Sequence, residues 1–217
     1  PAATTSSKKA TTIANDTTLT LGTGGSGGVT VASLAGTAGG TANSSNATFN
    51  VTGTVGVTGA VQTDIGTVTV TNSGGTTFGG TVGLTTDRIA TVALTNTTGT
   101  IAFSDNLYAT TLTAANGAGG YAVALNGGTT DISNAVSFLN TGTTQLGDAT
   151  ADTSTFTGGV TANAGAVTAA GTIATTDQNL TLGNVTIVAD QNLVLDTANT
   201  GGGAISVTSI TGVAAGT

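Results

Sequence analysis

From Thr17 onward the chain is a succession of short runs in which apolar and polar residues alternate. Examples are "TLTLG" (18–22), "TVTVTN" (67–72), "TVALTN" (91–96), "TIAFSD" (100–105), "NLVLDT" (192–197) and "AISVTSI" (204–210). A period of two sends successive side chains to opposite faces of a strand. Most runs close on Asn, Asp or Gly, the residues that tolerate left-handed turn geometry. No window carries the apolar stripe of a helix. The pattern predicts an all-β fold.

The runs also repeat. Ile65-x-Thr67-Val68-x-Val70-Thr71-Asn72 returns, at an offset of 24, as Ile89-x-Thr91-Val92-x-Leu94-Thr95-Asn96. Asp177-Gln178-Asn179-Leu180 returns, at an offset of 13, as Asp190-Gln191-Asn192-Leu193. The steps Leu94 to Leu112, Leu112 to Leu125 and Leu125 to Leu139 are 18, 13 and 14. Self-similarity at a period of about 20 residues favours a parallel β-helix (β-solenoid), with the shorter echo marking two faces or two coils of one winding. At about 20 residues per coil the chain makes about ten short coils. Stacked about 4.8 Å apart, these span roughly 45–50 Å. The competing architecture is a β-sandwich subunit whose N-terminal segment 11–22 completes a neighbour's sheet. Strand direction separates the two, since a solenoid is parallel and a sandwich mostly antiparallel.

Composition sharpens this picture. The 217 residues include 35 Gly, five Phe, two Tyr and no Trp, Met or Cys. The apolar stock is Val, Ala, Leu and Ile, which suits a narrow interior with little room for bulky aromatics. Val68, Val70, Val92, Leu94, Leu180, Leu182, Leu193 and Leu195 are the expected core positions, with Asn72 and Asn96 expected to stack as an amide ladder at a corner. Residues 1–16 are small, polar and unpatterned, and carry Lys8 and Lys9. They read as a solvated N-terminal arm, or one in which the lysine pair docks on the acidic body of another copy; 17–217 is then a single solenoid domain. A chain without Met that begins at Pro1 is expected to be a processed product, or a piece of something longer, with a removed secretion leader as the economical account.

The phrases "TSTFTGGVTANAGAVTAAGTI" (153–173), "TTDQNLTLGNVTI" (175–187) and "ADQNLVLDTANTGGGAISVTSITG" (189–212) resemble the long repeat regions of large secreted bacterial surface proteins. The likeness, over about half the chain, is to filamentous-haemagglutinin-like exoproteins and autotransporter passenger domains. It implies a parallel β-helix, an extracellular or cell-surface location and a role in adhesion.

Chemistry is scarce. Three cations face ten Asp, for a net charge of −7, which disfavours nucleic acid as a partner. No apolar run is long enough to span a membrane as a helix. Without His, Cys or Glu there is no Ser-His-Asp or Cys-His arrangement and no usual zinc set. Asp148/Asp152, Asp190/Asp196, and an alignment of Asp177 with Asp190 along one edge, are the carboxylate pairings for glycoside chemistry; turn residues are the plainer reading, so no enzyme is expected. No cofactor is expected either, calcium being the one ion the sequence suggests, at "NGGTTDIS" (126–133) or "LGDATADTS" (146–154). Thr-x-Thr occurs at 18–20, 67–71, 111–113 and 155–157. Ice binding requires such pairs in register on one face, and their uneven spacing argues for plain solvated strands. The function expected is a non-enzymatic extracellular structural protein that polymerises head to tail with its own copies through uncapped β ends. The alternative is an adhesive rod segment of a larger secreted adhesin that touches host or abiotic surfaces.

Overall fold

The computed structural model describes residues 5–198 and 200–213, with side chains described from Lys9 onward. The chain winds into a parallel β-solenoid of about nine turns, with no helix among the described residues. Every strand pairing is parallel, which removes the β-sandwich.

Three faces run along the stack. The first is built from 5–7, 29–31, 55–57, 76–78, 101–103, 123–125, 144–146, 167–169, 185–187 and 210–212. The second passes from 10–13 through 33–36, Val61, Val82 and 107–109 to 130–132, 153–156, 171–174 and 193–196. The third holds 18–21, 46–49, 67–70, 91–94, 111–114, 136–138, 160–162, 180–182 and 205–207. On the first face one rung steps from Val29 to Val55 and a later one only from Val167 to Val185, so coil length is not constant. The strand Thr5–Ile13 belongs to this stack and pairs with Val29–Gly36. The described part of the 1–16 segment is therefore a coil rather than a solvated arm.

The repeat between Ile65 and Ile89 is a true register, with Val68 on Val92, Val70 on Leu94 and Asn72 on Asn96. The shorter echo is two corners of one winding. Asp177 leads into the third face and Asp190 into the second, both with positive φ (53° and 59°). They do not share an edge. The step from Leu94 to Leu112 misleads, because Leu112 sits on Val92 and Ala114 on Leu94. Leu139 lies beyond its strand and is 51% exposed.

Against the expectation of little room for bulky aromatics, all five Phe are buried, each at 0–1% exposure. Register explains how they fit. One inward column of the third face reads Leu21, Phe49, Val70, Leu94, Ala114, Phe138, Ala162, Leu182, Val207. Alanines above and below Phe138 leave the space its ring fills, an alternation of large and small that interlocks neighbouring layers. On the first face Phe78 and Phe103 occupy successive rungs, their rings stacked at 4.9 Å.

Candidate assembly surfaces

Asn and Asp do most of their work at the corners. Asn106 Oδ1 accepts from Thr129 N–H, Asn179 Oδ1 from Ala204 N–H and Asn96 Oδ1 from Ala118 N–H, each one coil onward. Asp177 accepts from the N–H groups of Thr200 and Gly201 and from the Thr200 hydroxyl, bonds that hold its carboxyl below the usual range. These side chains replace ladder bonds where the strand bends away. Asn50, Asn72 and Asn96 do stack in backbone register, yet Asn96 directs its oxygen to Ala118. Beside them the buried polar column is hydroxyl, with Ser73 Oγ 3.0 Å from Thr97 Oγ1 and 2.9 Å from Thr76 Oγ1.

The Asp131 and Asp152 carboxylates, in the two loops considered for calcium, are engaged in structure. Asp131 pairs with Arg88, whose guanidinium also donates to the Asp131 carbonyl at 2.8 Å, across an intervening coil. Asp152 is buried and accepts from the N–H groups of Asp148 and Ala149, both at 2.9 Å. Burial, with the neighbouring Asp152, pushes the Asp148 carboxyl up. Among the described residues no three His, Cys or acidic side chains gather where they could share a metal ion, and no helix is long and apolar enough to cross a membrane.

Val68, Val70, Val92, Leu94, Leu180 and Leu182 lie in the core, and Leu193 and Leu195 are half-buried against it. The Lys9 side chain is exposed and that of Lys8 lies outside the described residues.

The two ends of the described stack differ. At the C-terminal end, Ile205–Gly212 pairs with Leu180–Ile187 in unbroken register, without a bulge. Its inward positions follow from that register: Ile205 on Leu180, Val207 on Leu182 and Ile210 on Val185. The three partners are 0–1% exposed, whereas Ile205 is 48% and Ile210 51% exposed. Among the described residues these inward side chains are therefore uncovered, and the outer edge of this strand pairs with no other strand. At the N-terminal end the edge is irregular. Register slips between Ser7 and Ala10 and again between Leu21 and Gly25, where Gly22 and Gly24 take positive φ. Such bulges blunt an edge.

The third face has an orderly outer side. Thr18, Asn46, Thr67, Thr91 and Thr111 form one outward column, and Thr20, Thr48, Thr69, Ala93 and Thr113 the next. Unequal coil lengths bring the unevenly spaced Thr-x-Thr pairs at 18, 67 and 111 into register; that at 155 lies on the second face.

No family model, no curated protein and no solved structure matches this chain.

Proposed function

We propose that this chain is a non-catalytic structural unit that grows by stacking end to end with further copies of itself, as a fibre outside the cell or on its surface. The observation that carries the reading is the uncovered last coil, where Ile205, Val207 and Ile210 continue three buried columns with nothing beyond them among the described residues. A flat, apolar, unbulged strand edge is a template for another chain. A contact between unlike ends that continues the solenoid along its own axis does not close into a ring, so it propagates. Pairing restores backbone hydrogen bonds and buries the three side chains, and full burial of an Ile or Val is worth about 1.5–3 kcal/mol. The low charge of the flanks leaves few contacts to compete with the ends.

Sedimentation velocity over a range of concentrations tests this. The wild-type chain is expected to form a concentration-dependent series of oligomers. The double variant Ile205→Lys/Ile210→Lys, whose changes fall on already exposed side chains, is expected to stay monomeric with an unchanged far-UV spectrum. A wild-type chain that remains monomeric at high concentration overturns self-stacking, and leaves the coil to be covered by more of a longer rod, as in an adhesin.

A second reading rests on the third face. Its two outward columns form an uncharged threonine lattice, about 4.8 Å between rungs and about 6.7 Å along each strand. Ice binding requires threonines in such register on one face. Freezing-point hysteresis that disappears in Thr69→Lys supports this reading, and its absence in the wild type excludes it.

A further inference from the structure

We infer that the second corner of the early coils, between the second and third faces, is a calcium site seated between Asn43 and Asp64. The inference is independent of fibre formation. At this corner Asn15, Asn43, Asp64 and Asp87 follow one another on four successive coils. Asp16 N–H donates to Ser44 Oγ at 3.1 Å, Asn43 N–H to Asp64 Oδ1 at 2.5 Å and Asp64 N–H to Asp87 Oδ2 at 3.0 Å, so each corner rests on the next.

Three oxygens in this run are buried and have no hydrogen-bond partner: Asn15 Oδ1, Asn43 Oδ1 and Asp64 Oδ2. Asp64 is the telling member, because the residue is 9% exposed and half of its carboxylate is left without a donor. A buried, unpaired carboxylate oxygen is costly and calls for a cation or a proton donor. The nearest cation in sequence, Arg88, is turned toward Asp131. The Asp64 carboxylate accepts from the Asn43 backbone N–H through Oδ1, while Asp64 Oδ2 and Asn43 Oδ1 have no partner, so two neighbouring coils each bring an unsatisfied oxygen to this corner.

The donor chemistry is that of calcium: a carboxylate oxygen and an amide oxygen. The stacking distance suits it too. Coils lie about 4.8 Å apart, twice the calcium–oxygen distance of about 2.3–2.6 Å, so one ion reaches an oxygen on each coil. Magnesium is disfavoured, because it demands shorter bonds in a rigid octahedron. With one full carboxylate and neutral oxygens, the site belongs to the weak class, with Kd on the order of 10⁻⁴–10⁻³ M. Asp64 and Asn43 both have positive φ (60° and 56°), which fixes the corner before an ion arrives.

The test is calorimetric titration of the full chain with calcium chloride, and its thermal midpoint in chelator, calcium or magnesium. Calcium at about 10 mM is expected to raise the midpoint by about 5 °C, with magnesium giving little. Asp64→Asn, which keeps the left-handed corner and the side-chain shape, is expected to weaken calcium binding at least tenfold and to melt alike with and without the ion. Asn43→Gly, which also keeps positive φ, is expected to weaken binding while the far-UV spectrum is unchanged. If the wild type shows neither heat nor a midpoint shift with calcium, or if Asp64→Asn binds calcium as the wild type does, the assignment is wrong and the free oxygens are met by water.

Discussion

Replacing Phe78 by Ala puts the interior of the solenoid to a quantitative test. Phe78 is fully buried on the first face, with the Phe103 ring stacked on it at 4.9 Å and the Phe49 ring edge-on at 6.1 Å. Phe→Ala in a core costs about 3–5 kcal/mol, depending on how far the site collapses. Here collapse is restrained, because Thr76–Phe78 is held by parallel ladders to 55–57 on one side and 101–103 on the other. Each ring contact adds about 0.5–1.5 kcal/mol beyond area. Phe78→Ala is therefore expected near the top of the range, at about 4–5 kcal/mol. Phe156→Ala supplies the comparison, since Phe156 is equally buried but meets one ring, Phe138, at 6.2 Å. With one ring contact fewer, it is expected to cost about 1 kcal/mol less. Urea unfolding followed by far-UV circular dichroism measures both. A loss for Phe78→Ala well below the range for a buried Phe, under about 3 kcal/mol, or one no larger than for Phe156→Ala, refutes the claim that stacked rings fill a rigid interior.

Three further outcomes follow from the geometry. Gly83→Ala is expected to be far more damaging than Gly24→Ala: both have positive φ (74° and 86°), but a Cβ at Gly83 falls 2.1 Å from the Tyr108 carbonyl oxygen while one at Gly24 meets nothing within 4 Å. The difference in urea midpoints measures it, and equal costs contradict the close approach. Burial pushes the Tyr121 phenol to about 12. Because its folded value exceeds its unfolded value of about 10, stability falls as pH rises from about 10 to 12, and the fall is absent in Tyr121→Phe; that variant still costs stability at neutral pH, since the hydroxyl serves the carbonyls of Leu94 and Ala115. Asp177 has a lowered folded value, so its support for Thr200 and Gly201 is complete above the ordinary carboxylate range and is lost as pH falls through that lowered value. Protection factors at those two amides, corrected for the intrinsic slowing of exchange at low pH, are expected to fall on acidification in the wild type and to be less sensitive to pH in Asp177→Asn.

Alternation made the strands legible, and the repeat between Ile65 and Ile89 made their parallel stacking legible, because both reflect local pleat and one true register. What stayed hidden was coil length. One coil spans Val29 to Val55 and another only Val167 to Val185, so a spacing in sequence is not a spacing in space. Leu94 and Leu112 look like equivalents and are not, whereas the scattered Thr-x-Thr pairs look unrelated and fall in line. The place of the phenylalanines was equally invisible, since the room for Phe138 comes from Ala114 and Ala162, each a full coil away along the chain. The candidate ion site is hidden in the sequence for a related reason. The loops at 126–133 and 146–154 have the calcium-like spacing in sequence, but there the Asp131 and Asp152 carboxylates are already satisfied, while Asp64 is distinguished only by its burial and partners.

End-to-end stacking is tested most directly by electron microscopy of the purified chain, with diffraction from the images. The account predicts unbranched filaments with a meridional spacing near about 4.8 Å and a subunit repeat of about 43–48 Å, nine to ten rungs. Short particles that stay separate as concentration rises, with no axial periodicity, contradict it.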